Sequence, residues 1–307
     1  MNGYGIEQGR STLLRAAAIL LLPVMILLYY ETGLLTVRSF SEHSCNMSHG
    51  WLIPVLSLHA LWRQRSLIRT AKKRFAPIGI LGVLAALSLL WLGKTYSLLC
   101  VQQFSFIGML WSLIYTLNGR ETALLSMFPV WYLAFVISIP SVLEKLAEHL
   151  QTFSAIVSCA LMRGFNLEML QHGNRLLSYA HGSGFQFEIA QPCSGIRSLL
   201  ALTAFTALYA WHSQQTTLNK WLLFFCSMPI AILSNIIRVF SICLVATLFG
   251  EDAAIGYYHD YSGYLVVLVA LLLIFKTGDL LKNFHDYENN TCVISPDALK
   301  IKRHKEI

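Results

Sequence analysis

Apolar residues run along this chain in blocks of helix length, with polar residues gathered between them. A bilayer core about 30 Å thick needs roughly 20 apolar residues per helix. Eight stretches fit or approach that length, at about 14–35, 50–63, 77–97, 100–117, 124–141, 195–212, 219–249 and 261–277. The second, from Trp51 to Trp62, is short for a span. Between the fifth and sixth stretches, residues 142–163 set Leu143, Leu146, Leu150 and Phe153 against Glu144, Lys145, Glu148 and Gln151. This 3.6-residue spacing predicts an amphipathic helix lying at the membrane surface. Further on, Phe185, Phe187 and Ile189 alternate with polar residues after Gly182 and Gly184, which predicts a small hairpin leading into Gln191-Pro192-Cys193. The pattern therefore predicts an all-α polytopic membrane protein of about eight transmembrane helices, with a small outward-facing helix and hairpin segment. Residues 1–277 form one multi-span domain in this reading, and 278–307 a polar, poorly ordered cytoplasmic tail.

Composition agrees with the pattern. Of 307 residues, 55% are hydrophobic and 13% charged, where soluble domains carry about 25% charge. The net charge of +7 does not indicate nucleic acid, because its distribution is that of loops flanking membrane spans. Arg63, Arg65, Arg69, Lys72, Lys73 and Arg74 crowd one loop, Arg10 and Arg15 lie at the N-terminus, and Lys276, Lys282, Lys300, Lys302, Arg303 and Lys305 lie at the C-terminal end. By the positive-inside rule all three regions face the cytoplasm, and 36–49, 98–100, 142–194 and 250–260 face outward. The seven cysteines are scattered with no CxxC, and there is no HExxH. Neither a zinc site nor any other cofactor is indicated. Cys45 and Cys100 both fall on the outer side, where they either pair or remain separate thiols.

Against this apolar background, polar residues within spans carry the chemical information, since charge near the bilayer centre costs several kcal/mol. Arg238 lies twelve residues before Gly250, about 18 Å along a helix from its outer end. Ser234, Arg238 and Ser241, with Asn235 beside them, form a polar stripe on one helix face. Cys193 enters the sixth span within Pro-Cys-Ser-Gly-Ile-Arg-Ser, and a helix N-terminus lowers a thiol's pKa. His259 sits at the mouth of the eighth span, in Tyr-Tyr-His-Asp-Tyr-Ser-Gly. A thiol, an imidazole and a guanidinium thus map to one side of the membrane, and such a set suffices for acyl transfer.

Cys193-Ser194-Gly195-Ile196-Arg197-Ser198, Asn235-Ile236-Ile237-Arg238 and His259-Asp260-Tyr261-Ser262-Gly263 resemble, in order, the three motifs of the exosortase/archaeosortase family of prokaryotic membrane-embedded cysteine transpeptidases. Ser48-His49-Gly50-Trp51-Leu52-Ile53-Pro54 is similar to a further family motif near the second span, and the likeness extends from about residue 14 to 277. The resemblance implies cleavage of exported proteins near a C-terminal sorting signal, made of a short motif, a hydrophobic helix and a basic end. It also implies transfer of the acyl group to a cell-surface acceptor at the outer face of the cytoplasmic membrane. Cys193 would be the nucleophile, His259 the base, and Arg238 the group holding the thiolate or oxyanion. Arg197, Asn235, Ser194 and His49 are supporting or substrate-binding candidates. Gln191 stands where many members have an acidic residue and Pro192 replaces a frequent alanine, which leaves the recognised motif and the subfamily open. Two rival readings are a transporter using Arg238 as an intramembrane anion site and a surface-polysaccharide assembly factor without chemistry of its own. The implied partners are the tailed exported proteins and the lipid bilayer, with no nucleic acid.

Overall fold

The computed structural model describes residues 23–40, 48–137, 139–167, 169–173, 175–178, 185–188, 195–250, 253–254 and 258–292. These fall into two compact units, Met1–Leu143 and Glu144–Ile307.

In the first unit, helix α1 (23–40) precedes a 3-10 turn (Ser48–Trp51), α2 (Leu52–Arg63), the short α3 (Arg65–Thr70), α4 (Gly79–Thr95), α5 (Leu99–Asn118), α6 (Arg120–Tyr132) and a second 3-10 turn (Leu133–Val136). Lipid gives apolar helices no hydrophobic reason to associate, so close backbone approach and interhelical hydrogen bonds must hold them. The α4–α5 pair shows both. Gly79, Gly82 and Gly93 on α4 lie directly against Thr116, Ser112 and Gln102 on α5, leaving no room for a Cβ. Ser105 donates its only hydroxyl proton to the Ala86 carbonyl at 2.7 Å, so the Tyr29 hydroxyl, 2.6 Å away, must donate to Ser105. Thr32 donates to Gln102 Oε1 at 2.8 Å, and Gln102 Nε2 donates on to the Gly93 carbonyl at 3.1 Å. Gln103 Nε2 reaches Thr36 Oγ1 at 3.0 Å. These bonds tie α1, α4 and α5 around Tyr29, Ala86, Leu90 and Met109. Ser57 of α2 donates to the Pro129 carbonyl of α6 at 2.7 Å.

The second unit takes in most of α7 (Pro140–Gly164), strands β1 (Met169–His172), β2 (Arg175–Ser178) and β3 (Phe185–Glu188), and helices α8 (Ile196–Ser213), α9 (Thr217–Phe249) and α10 (His259–Cys292). The strands form an antiparallel meander in which Met169 pairs with Ser178 and Leu176 with Phe187. The expected hairpin is therefore the β2–β3 half of a larger sheet. Met169 and Leu176 bury themselves with Ala155, Cys159 and Met162 of α7 and with Val239, Ile242 and Cys243 of α9. Arg163 Nε donates to the Met169 carbonyl at 3.0 Å, fastening β1 to α7. At the other end of the unit, Leu202 and Ala210 of α8, Leu223 and Ala231 of α9, and Ala270 and Ile274 of α10 form a second core. There Gln214 Nε2 donates to the Gly278 carbonyl (2.9 Å) and Asn219 Nδ2 to the Leu281 carbonyl (3.2 Å).

The structure is a predominantly helical membrane protein, but eight spans are not what its described helices establish. Three are long and apolar enough to cross a bilayer, Leu99–Asn118, Thr217–Phe249 and Tyr261–Asn283. A fourth follows if residues 120–136 and 141–164 form one broken span. The difference has a physical origin in length and charge. With 12 and 17 residues, α2 and α4 rise only about 18 and 26 Å. The 18-residue α8 carries Arg197 and His212 near its ends. Past residue 277, α10 continues as helix to Cys292, so the polar segment begins as an extension of the last span.

Helix α7 is amphipathic as expected, yet Leu146 and Phe153 point outward. Its buried face is mostly small or polar, with Ala147, Gln151, Ser154, Ala155, Ser158 and Cys159, and ends on Met162. That is the arrangement expected where small residues and hydroxyls make the helix contacts and leucine faces lipid.

Candidate active site

Helix α9 organises the site. Thr216 caps it by accepting from the Asn219 amide at 3.2 Å, and Gly250, at φ 92°, ends it. The polar stripe expected on α9 lies in its C-terminal half, where Asn235 and Arg238 turn toward neighbouring elements. Asn235 is 5% exposed and donates from Nδ2 to Ser154 Oγ of α7 at 3.1 Å. Ser154, itself 1% exposed, is one of two α7 hydroxyls that meet α9, the other being Ser158, 3.4 Å from the Ile236 carbonyl. Ser241 donates to the Arg238 carbonyl at 2.8 Å and so serves the helix backbone.

The Asn235 carboxamide also lies against Gly195. This glycine caps α8 in the left-handed region (φ 78°, ψ −4°), which a residue with a Cβ enters at a cost of about 1–2 kcal/mol. A Cβ there would stand 2.6 Å from Asn235 Cγ and 2.8 Å from its Cβ. Two separate demands, backbone sign and close approach, therefore select glycine at this point. The Gly195 carbonyl accepts the first helical bond from the Leu199 amide at 2.8 Å and a second from the Ser198 hydroxyl at 2.9 Å. Arg197 follows on the first turn, half-buried.

Arg238 lies three residues beyond Asn235, which places their Cβ atoms about 5–6 Å apart on one face of α9. Half-buried, it meets the start of α10, where Nε lies 3.4 Å from the Ser262 hydroxyl. A Cβ on Gly263 would fall 3.3 Å from Arg238 Nη2, so the absence of a side chain there lets the guanidinium lie against the helix. Ser262 is 2% exposed. His259 begins α10, one turn before Ser262 and Gly263.

The three motifs therefore meet on α9: the first through Gly195 against Asn235, the third through Ser262 and Gly263 against Arg238. Cys193 and Ser194 lie outside the described residues, immediately before Gly195 in the chain. The backbones of His49 and His259 are described and their side chains are not. Cys45 is also outside the described residues, while Cys100 sits half-buried at the start of α5. Among the described residues, no three His, Cys, Asp or Glu side chains gather as metal ligands would. A half-open cavity of about 580 Å³ in the first unit, lined by Thr32, Thr36, Ser57 and Gln103 among apolar residues, contains none of the expected site residues.

A family model described as transmembrane exosortase (Exosortase_EpsH) matches residues 41–276. The chain belongs to the transmembrane exosortase family. No curated protein and no solved structure matches it. Within this exosortase, the matched region takes in all four motifs, from Ser48 to Gly263, and ends inside α10. Two residues that complete the site geometry were not singled out as site candidates from the sequence. Ser154 is one of many serines in apolar helices, and only its approach to Asn235 reveals it. Ser262 lies inside the third motif and could have been found from its position one turn after His259 on a helix.

Proposed function

We propose that this exosortase is a cysteine protease-transpeptidase of the prokaryotic cytoplasmic membrane that cleaves the C-terminal sorting signals of exported proteins. The single observation that carries the reading is the convergence of the first and third motifs on Asn235 and Arg238 of one helix face. In this reading Cys193 is the nucleophile. Its thiolate adds to the scissile carbonyl carbon, and the resulting oxyanion takes charge-assisted hydrogen bonds from Arg238. His259, having accepted the thiol proton, returns it to the amine that leaves as the C–N bond breaks. The thioester that remains on Cys193 passes its acyl group to a nucleophile on a cell-surface acceptor, whose proton His259 receives, and the thiolate is regenerated. Arg238 suits this role because a guanidinium offers several N–H donors in a planar fork that matches an oxyanion. The basic clusters at residues 63–74 and beyond 276 support cytoplasmic N- and C-termini with the site on the outer face.

The test is processing of a reporter that ends in a short motif, an apolar helix and a basic tail, scored in membranes. Cys193→Ala, Arg238→Ala and His259→Ala should each abolish its processing while the protein remains inserted. Processing by the Cys193→Ala protein at the parental rate would remove the thiol mechanism.

A further inference from the structure

Residue Asn235 meets two elements, the Gly195 cap of α8 by close approach and α7 through a single hydroxyl. Its Nδ2 donates to Ser154 Oγ at 3.1 Å, between side chains that are 5% and 1% exposed. Its Cγ lies where a Gly195 Cβ would collide, so the plane of the carboxamide sets how close the α8 cap can come to α9. An asparagine carboxamide turns about a broad two-fold torsion, which makes its orientation depend on its hydrogen bonds. Without the Ser154 acceptor, a buried N–H pair would lose its partner and turn to find another. The turn would press on the left-handed Gly195 cap, two residues from Cys193.

We infer that Ser154 is a positioning residue for the nucleophile segment, acting through Asn235 on the Gly195 cap of α8. It rests on the reading of Cys193 as the nucleophile and adds a residue of α7, outside every motif, to the catalytic apparatus. Ser154 touches no reacting atom in this arrangement. Its effect falls on the rate of the chemical step, because a nucleophile displaced by less than 1 Å loses reactivity far faster than substrate binding does. Ser158 supplies an internal comparison. It lies one turn further along the same buried face and meets α9 through the Ile236 carbonyl at 3.4 Å, a backbone group, where Ser154 meets the Asn235 side chain.

The experiment is a double-mutant cycle on the full chain in membranes, using the tailed reporter and a second readout, the rate at which the Cys193-containing peptide is alkylated by a small maleimide. Ser154→Ala should lower kcat roughly ten-fold with KM little changed and should slow or speed alkylation of Cys193. Ser154→Thr, which keeps the acceptor, should restore both, and Ser158→Ala should leave both at the parental values. In an Asn235→Ala background Ser154→Ala should have no further effect, since residues that act through one another are non-additive. Should the Asn235→Ala protein process too slowly to measure, the alkylation rates complete the same cycle. Should Ser154→Ala fail to accumulate, Ser154→Cys, of similar size with a weaker acceptor, takes its place in the processing cycle. Equal kcat for Ser154→Ala and the parent, equal losses for Ser154→Ala and Ser158→Ala, or additive losses with Asn235→Ala would each overturn the inference. Undiminished processing by Cys193→Ala would instead overturn the reading on which it rests, whatever Ser154 does.

Discussion

Replacing Gly195 with alanine perturbs the point at which the first motif meets α9. Two costs add there. The left-handed backbone at φ 78° costs an alanine about 1–2 kcal/mol. The new Cβ falls 2.6 Å from Asn235 Cγ and 2.8 Å from its Cβ, and an atom fixed to the α9 backbone cannot swing aside. Overpacking of that kind costs about 1–3 kcal/mol. The sum is about 2–5 kcal/mol. Three other glycines separate the terms. Gly250→Ala meets a backbone cost alone, at φ 92° and ψ 166° with open space around it, a region essentially reserved for glycine, and should lose about 1–3 kcal/mol. Gly263→Ala meets only the flexible end of Arg238 at 3.3 Å and should lose less than about 1 kcal/mol. Gly108→Ala, inside α5 with nothing within 4 Å, should gain about 0.5–1 kcal/mol. Reversible unfolding of the purified protein in mixed detergent and SDS micelles, followed by fluorescence of its seven tryptophans, would rank the four. A Gly195→Ala protein that loses less than about 1 kcal/mol would refute the close approach of the α8 cap to Asn235.

Other perturbations follow from the same contacts. Gly82→Val should wedge α4 from α5 at Ser112 and cost at least about 2 kcal/mol in the same unfolding assay. Ser105→Ala leaves the Ala86 carbonyl and the Tyr29 hydroxyl without their shared partner and should cost about 1–3 kcal/mol, more than Tyr29→Phe, which removes one bond. Arg238→Lys keeps the charge but loses the planar fork that lies against Gly263 and meets Ser262, and reporter processing should fall about 10²–10³-fold with the protein still inserted.

The parts of this fold that could be read from the chain are those whose side chains match their solvent. Helix α9 and the place of Arg238 within it were legible because a charge among Ile236, Ile237 and Val239 has few alternative explanations. The hairpin at 185–188 showed through alternation, whereas β1, with only Met-Leu-Gln-His, offers no period to read. Helix α7 was legible as a helix, and its leucines drew attention, but the contacts are made by Ser154, Ala155, Ser158, Cys159 and Met162, which the leucine pattern does not mark. The count of spans is not established by the described helices, since short apolar helices such as Leu52–Arg63 lack the length to cross on their own. At the site, motif residues were visible and their mutual contacts were not, because Gly195 against Asn235 and Gly263 against Arg238 join segments about 25–40 residues apart, beyond any local periodicity.

The central claim is that Cys193 forms a thioester with the substrate. Its most direct test is mass spectrometry of the full-length protein after incubation with a tailed peptide and no acceptor, with the adduct mapped by proteolysis. The account requires the N-terminal part of the peptide on Cys193, released by hydroxylamine, and no adduct on the Cys193→Ala protein. Cleaved peptide with no adduct on Cys193, or an adduct on another residue, would contradict it.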